Sequence, residues 1–280
     1  MTLFCIGPAA KDIIIKQSDR KSKTGGASYY QSFVFEKYYS DYHCIINCAD
    51  ESLLNEFPDS NKINLIKKDK THFFTNCYPT NNPDYRIQSS NFADIPILKK
   101  DLVKILPESI DAIILNPLNA FDFPLKTINY LKTLEVPIFT SVQGFLRRPA
   151  NKISDNSYSI DLRCPDNFCE IISSFDSLFL DEKEASIIFP DNDYKKYDIN
   201  EIIITNGSRG SRVISDEEYN ISPVINNNIV DSTGCGDTFM AAYVAKKLSS
   251  KSILESANFA SKIASEKLSF FGPFKPISNF

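Results

Sequence analysis

The chain has 280 residues, 42% of them hydrophobic, and a formal net charge of −4 at pH 7. That length buries a substantial core as one large α/β domain with a small appendage, and the scatter of lysines among acids excludes nucleic acid and anionic membranes as partners in favour of small-molecule chemistry. No apolar run approaches the roughly 20 residues of a membrane span, the Met1 to Ile6 start carries no charged leader region, and seven cysteines with only His43 and His72 beside them follow no zinc spacing, so a cytoplasmic protein with reduced thiols is expected.

Short β-rich apolar runs alternate with amphipathic segments, the pattern of βαβ units around a largely parallel sheet. Thr2 to Ile6 is predicted as the first strand and Asp12 to Lys16 as the second. A polar loop from Gln17 to Thr24 then leads through Gly25-Gly26 into a helix over Ala27 to Tyr39, and Cys44 to Cys48 returns to strand. The stretch from Asn64 to Ser90 breaks the rhythm. Strand-like Thr71 to Tyr78 and Asp84 to Ser89 flank Pro79-Thr-Asn-Asn-Pro83, which is hairpin material. From Ala112 the alternation resumes, with strands over Ala112 to Leu115, Val136 to Thr140, Ser177 to Leu180 and Glu201 to Thr205. Helices are predicted over Leu125 to Leu134, Lys183 to Phe189, Thr238 to Leu248 and Ile253 to Leu268, and Arg212 to Ser215 with Tyr219 to Ser222 form a further hairpin around Asp216-Glu217-Glu218. There is no internal repeat or linker.

Asp231-Ser-Thr-Gly-Cys-Gly-Asp237-Thr-Phe is the most informative stretch. Apolar residues recur at helical spacing from Phe239 through Met240, Tyr243, Val244 and Leu248, so the two glycines sit at a helix N-terminus. Unpaired amides and the helix dipole make such a turn an anion site. A carboxylate beside a bound phosphate is repelled unless it has a task, and taking the proton of an attacking hydroxyl is such a task for Asp237. An ordinary capped helix is the bland alternative. There is no Gly-x-x-x-x-Gly-Lys-Ser/Thr and no Gly-x-Gly-x-x-Gly after a strand, which removes P-loop and dinucleotide sites.

This stretch resembles the C-terminal signature of the ribokinase-like (PfkB-type) carbohydrate kinases, with Cys235 where that family mostly has alanine. The resemblance continues, in family order, through Gly25-Gly26, Gln143-Gly-Phe-Leu-Arg147, Asp181-Glu-Lys-Glu184-Ala and Thr205-Asn-Gly207-Ser-Arg-Gly210. It implies a three-layer α/β/α sandwich over residues 1–280 with a largely parallel central sheet and a small β lid from about 13–24 and 66–92. It further implies an ATP- and Mg²⁺-dependent kinase acting on a hydroxyl of a small polyhydroxylated acceptor, a sugar or an inositol-like polyol. A nucleoside kinase and a non-catalytic sugar- or nucleotide-binding paralogue on the same fold are the alternatives.

Site roles follow residue by residue. Asp237 is the expected base, with the amides of Gly234, Cys235, Gly236 and Asp237 as anion hole. Asp12, Gly25 and Gly26 are expected to bind the acceptor, as a carboxylate that takes two hydroxyl hydrogen bonds and glycines that admit a ring. Gln143 and Arg147 resemble a Gln-Gly-x-x-Arg element of a subset that includes inositol-type kinases, and are assigned to the acceptor or a phosphate; a solvated Arg147-Arg148 run is the alternative. Thr205, Gly207 and Gly210 form a turn at a strand's carboxyl end that the resemblance makes the ATP side. Asp181 and Glu184 are assigned to Mg²⁺, with Asp181 replacing the family's asparagine; a capping acid with a solvated partner is the alternative. Many relatives are activated by a monovalent cation, whose ligands would be largely backbone oxygens, and some pair their lids edge to edge into homodimers. A thiol at Cys235, at a helix N-terminus, is either a reactive group of lowered pKa or an inert alanine substitute.

Overall fold

The computed structural model describes residues 1–16, 19–78 and 87–275. Its platform is a nine-stranded sheet that grows outward from β1 (Leu3–Pro8). Every residue of β1 is buried, because it is paired in parallel on both sides, with β4 (Tyr42–Cys48) and β8 (Ala112–Leu115). A strand covered on both faces reads as a continuous apolar run. β5 (Ile63–Lys67) extends the sheet beyond β4, and β9 (Ile138–Ser141), β12 (Ser177–Asp181) and β13 (Glu201–Thr205) extend it beyond β8, all in parallel. β14 (Ser211–Ile214) and β15 (Glu218–Ile221) close that edge antiparallel, as the hairpin expected from sequence.

Side-chain alternation divides the core in two. Leu3 and Cys5 of β1 face a layer of α1 (Ala27–Tyr38), α7 (Cys235–Ser250) and α8 (Ile253–Lys267), through Val34, Phe35, Tyr243, Ala257 and Ile263. Phe4 and Ile6 face the other layer, with α2 (Lys99–Leu102), α3 (Leu125–Lys132), α5 (Phe168–Ile172) and α6 (Glu182–Ile188), through Leu102, Ile128, Leu131, Ile172 and Ile188. The α/β/α sandwich implied by the sequence is therefore the architecture observed.

A second sheet of six strands forms the lid, in the order β10-β11-β7-β6-β2-β3. β2 (Ala10–Lys16) continues almost directly from β1, and β6 (His72–Tyr78) lies parallel to it. Three differences from the sequence reading stand out. The segment read as a loop from Gln17 to Thr24 is largely strand, β3 (Asp19–Gly25), hairpinned onto β2; it is a mostly exposed edge strand and so carries no apolar signal. The lid segment placed at 66–92 starts too early, since Ile66 and Lys67 belong to β5 in the platform. The hairpin of β10 (Arg147–Ser154) and β11 (Ser157–Leu162), which joins the lid through β7 (Ile87–Ser90), was not anticipated, because its largely exposed faces show no buried stripe. The turn at Pro79 to Pro83 and the start of the strand expected from Asp84 lie outside the described residues.

Candidate active site

The carboxyl ends of β9, β12 and β13 and the start of α7 open on one side of the platform, and lid strands β2, β6 and β7 face them across a cavity of about 310 Å³. That volume is at the low end of the roughly 300–1,000 Å³ of ligand pockets. Asp12 of β2 and Asp237 of α7 both line it.

Gly234 caps α7 in the left-handed conformation, φ 77°, and a Cβ there would stand 2.3 Å from Tyr30 Cδ1, so only glycine lets the turn rest on the Tyr30 ring. Gly236 is the opposite case. A Cβ there would meet nothing within 4 Å, and its amide borders open cavity. The expected anion hole needs one correction: the Cys235 amide donates to Ser232 O at 3.2 Å, the bond that tightens the turn, so it is not a free donor. The amides of Gly234 and Gly236 make no hydrogen bond among the described residues. The Cys235 thiol reaches Ala264 O at 3.8 Å, and burial pushes it up to about 11, the direction expected of an inert alanine substitute.

Asp231 anchors the turn from below. Its Oδ1 accepts the Thr233 amide at 2.9 Å, and its Oδ2 accepts the Gly272 amide and Lys23 Nζ, each at 3.1 Å. Burial alone would raise this carboxyl, but the ammoniums of Lys267 and Lys23 and the two amides overcome it and hold it down at about 2.

On the lid side, Asp12 is 7% exposed and lies against Gly25, where a Cβ would stand 2.4 Å from its Oδ2. Gly25 therefore makes room for the carboxylate, whereas Gly26, φ 98°, lines the cavity itself. Gln143 and Arg147 flank the one-turn α4 (Gln143–Leu146) and meet over it, Arg147 Nη2 donating to Gln143 Oε1 at 2.6 Å. Arg147 is 5% exposed, which excludes the solvated alternative. The same Nη2 reaches Gln88 Oε1 at 3.3 Å, Gln88 donates to Asn76 Oδ1 at 2.8 Å, and the guanidinium covers the Phe74 ring at 5.0 Å. Asn76, Gln88 and Ser141 line the cavity without having been singled out as binding residues. The signal was present for Asn76, a polar residue two places from buried Phe74 on one face of β6.

Asp181 and Glu184 form a reciprocal capping box: Asp181 Oδ1 accepts the Glu184 amide at 2.8 Å and Glu184 Oε2 accepts the Asp181 amide at 2.9 Å. The capping role is thus real, but it uses one oxygen of each. Glu184 is 3% exposed, its Oε1 has no hydrogen-bond partner, and burial followed by repulsion from Asp181 pushes the carboxyl up to about 7, with Arg147 and Gln143 opposing. A buried orphan carboxylate oxygen at the cavity wall fits a hard cation. No group of three or more His, Cys, Asp or Glu among the described residues is placed to hold a metal, so the cation would complete its shell with phosphate oxygens and water. On the ATP side only Thr205 lines the cavity. Gly207, φ 53°, and Gly210, φ 94°, shape a tight turn closed by the Asn206 amide on Gly210 O at 2.8 Å, and stand outside it.

Comparison with known proteins bears on the fold that carries this cavity. Residues 145–277 match the model of the pfkB family carbohydrate kinases. No curated protein sequence matches the chain at a significant level. Among solved structures, a pyrophosphate-dependent kinase in the ribokinase family, complexed with a pyrophosphate analogue and myo-inositol, superposes with a TM-score of 0.83 at 22% identity, over 98% of this chain and 97% of that one. A pyrophosphate-dependent myo-inositol-1 kinase, converted into a myo-inositol-3 kinase by mutation, gives 0.82 at 22% identity, over 98% and 95%. The ribokinase of Arabidopsis thaliana, complexed with ribose and ATP, gives 0.72 at 18% identity, over 97% and 94%. The chain carries the ribokinase-like fold along its length, and its residues 145–277 are similar to the pfkB family of carbohydrate kinases, which together support a phosphotransferase.

Proposed function

We propose that the protein transfers the terminal phosphoryl group of ATP to a hydroxyl of a small polyhydroxylated ring, an inositol-like polyol or a sugar. One observation carries this reading: Asp12 from the lid and Asp237 from the platform line the same cavity, with the Gly234 and Gly236 amides at its floor. Asp12 accepts hydrogen bonds from acceptor hydroxyls, while Asn76, Gln88, Gln143 and Arg147 supply both donors and acceptors around a ring that has several hydroxyls. Asp237 takes the proton of the attacking hydroxyl, and the glycine amides meet the charge on the phosphoryl oxygens. Asp181 and Glu184 would hold Mg²⁺, which when bound offsets charge on the donor phosphates. Phe74, the lid aromatic best placed to stack a nucleobase, already lies under the Arg147 guanidinium, which favours a polyol over a nucleoside.

Pyrophosphate as donor is a second reading, favoured by where the cavity stops. It extends to Thr205 and not to Gly207 or Gly210, so its volume of about 310 Å³ suits a polyol with a diphosphate better than one with a whole nucleoside triphosphate. Product formation with ATP and with pyrophosphate, each across inositols, sugars and nucleosides, separates the readings. Asp237→Asn should lower kcat by about 10²–10⁴ with the best pair; an Asn variant that turns over like the parent removes Asp237 as the base.

A further inference from the structure

Lys267, the last residue of α8, is fully buried. Its Nζ donates to the backbone carbonyl of Asp231 at 2.7 Å and lies 3.8 Å from Asp231 Oδ2. That carboxylate is already paired with Lys23 at 3.1 Å. Two ammoniums face this one carboxylate, and Asp237 of the same turn is near enough to act on Lys267 as well, so the second ammonium serves the turn that carries the Gly234 and Gly236 amides as well as Asp231. As a counter-ion for Asp231 alone the second lysine is superfluous, and burying an ammonium is costly unless its charge is used.

The position of that charge suggests its use. In a turn whose amides point at an anion, the carbonyls of the same stretch point the other way, and a cation on the carbonyl side aligns with the peptide dipoles and reinforces the pull on the anion. In a water-poor setting this pull is weakly screened. A free monovalent cation acting on such a turn would need backbone oxygens behind it, and the Asp231 carbonyl, one such oxygen, already accepts from Lys267.

We propose that the Lys267 ammonium is a tethered cation behind the anion hole, standing in for a free monovalent cation, so that turnover needs neither potassium nor ammonium ions. This rests on the reading of the Gly234–Asp237 turn as the phosphate cradle. Lys267 is a positioning residue: it touches the turn and not the reacting atoms.

Turnover is compared in potassium, sodium and tetramethylammonium buffers at ~0.1 M ionic strength. The parent should vary less than about twofold, whereas Lys267→Met should lose roughly tenfold or more of kcat and regain most of it with potassium or ammonium. A parent stimulated severalfold by potassium overturns the proposal, and so does a Lys267→Met protein of unchanged kcat or one whose loss no cation repairs, since a purely structural lysine gives that last result. Should Lys267→Met fail to fold, the parent's melting temperature decides: equal values in potassium and tetramethylammonium support the tethered cation, and a potassium-specific rise overturns it. If no acceptor is phosphorylated by either donor, the functional reading fails separately. Calorimetric binding of inorganic pyrophosphate then tests the cradle alone, with cation-independent affinity expected of the parent and potassium-enhanced affinity counting against Lys267.

Discussion

Gly234 and Gly236 stand two residues apart, yet alanine should have opposite effects on stability at the two positions. At Gly234 an alanine must hold φ near 77°, a left-handed conformation that costs an L-residue about 1 kcal/mol. Its Cβ would also lie 2.3, 2.5 and 2.6 Å from Cδ1, Cγ and Cε1 of Tyr30. Those are ring atoms of a side chain 2% exposed and packed edge-on against Tyr29 at 5.4 Å, so the ring has nowhere to retreat without disturbing α1. Overpacking of this kind costs about 1–3 kcal/mol, and the sum, about 2–4 kcal/mol, corresponds to a melting temperature lower by on the order of 5–10 °C. At Gly236 φ is not positive and no atom stands within 4 Å, so alanine gains up to about 0.5–1 kcal/mol of helix propensity. Its methyl, however, enters the space where a phosphate would sit, and kcat/KM for the donor should fall by about 10²-fold. Thermal denaturation paired with steady-state kinetics reads both effects. A Gly236→Ala protein of parental kcat/KM for the donor would show that no phosphate meets that amide, and a Gly234→Ala protein as stable as the parent would show that the Tyr30 contact is slack.

Two further results are expected. Glu184 has its folded pKa raised to about 7 from an ordinary 4.5, so its contribution to stability is fully present below about 4.5 and is lost as pH rises through 7, roughly 3 kcal/mol in all. Melting temperatures measured in chelator should therefore fall between pH 5 and 8, and Glu184→Gln should flatten that slope; a parent already flat over this range contradicts the buried orphan carboxylate. Asp12→Ala should raise the acceptor KM tenfold or more, as a charge-assisted pair of hydrogen bonds is lost, while the donor KM changes little. An unchanged acceptor KM would move the acceptor away from β2.

The platform was legible because each of its strands announces itself. The runs Ala112 to Leu115 and Glu201 to Thr205 are short, β-branched and bounded by polar residues, and they fold as β8 and β13 with the expected limits. The turn at Gly234 was legible for a similar reason, since glycines directly before a helical stripe mark a helix start whose first amides have no intrahelical partner. The lid was harder. β3 and β10 are mostly solvent-facing, so burial imposes no apolar alternation on them, and their strand character depends on the pairing of β3 with β2 and of β10 with β11. Side chains whose role is set by distant partners were the least legible. Lys267 reads as one more polar residue on α8, and only the packing of that helix beside the Asp231 turn brings its ammonium to a carbonyl 36 positions earlier.

β1 ends at Pro8 and β2 begins at Ala10, so the polypeptide passes from platform to lid along almost unbroken extended backbone. Two later passages are similarly short, from Lys67 to His72 and from Leu146 to Arg147. A cover sewn to its box by several short stitches cannot slide or detach; the freedom left to it is a shallow rocking about the seam. Any ligand of the cavity would enter through the gap that such rocking opens, so crowding at the seam, for instance a bulkier residue at Ala9, which is 1% exposed, should slow entry and departure alike without touching a polar contact of the cavity.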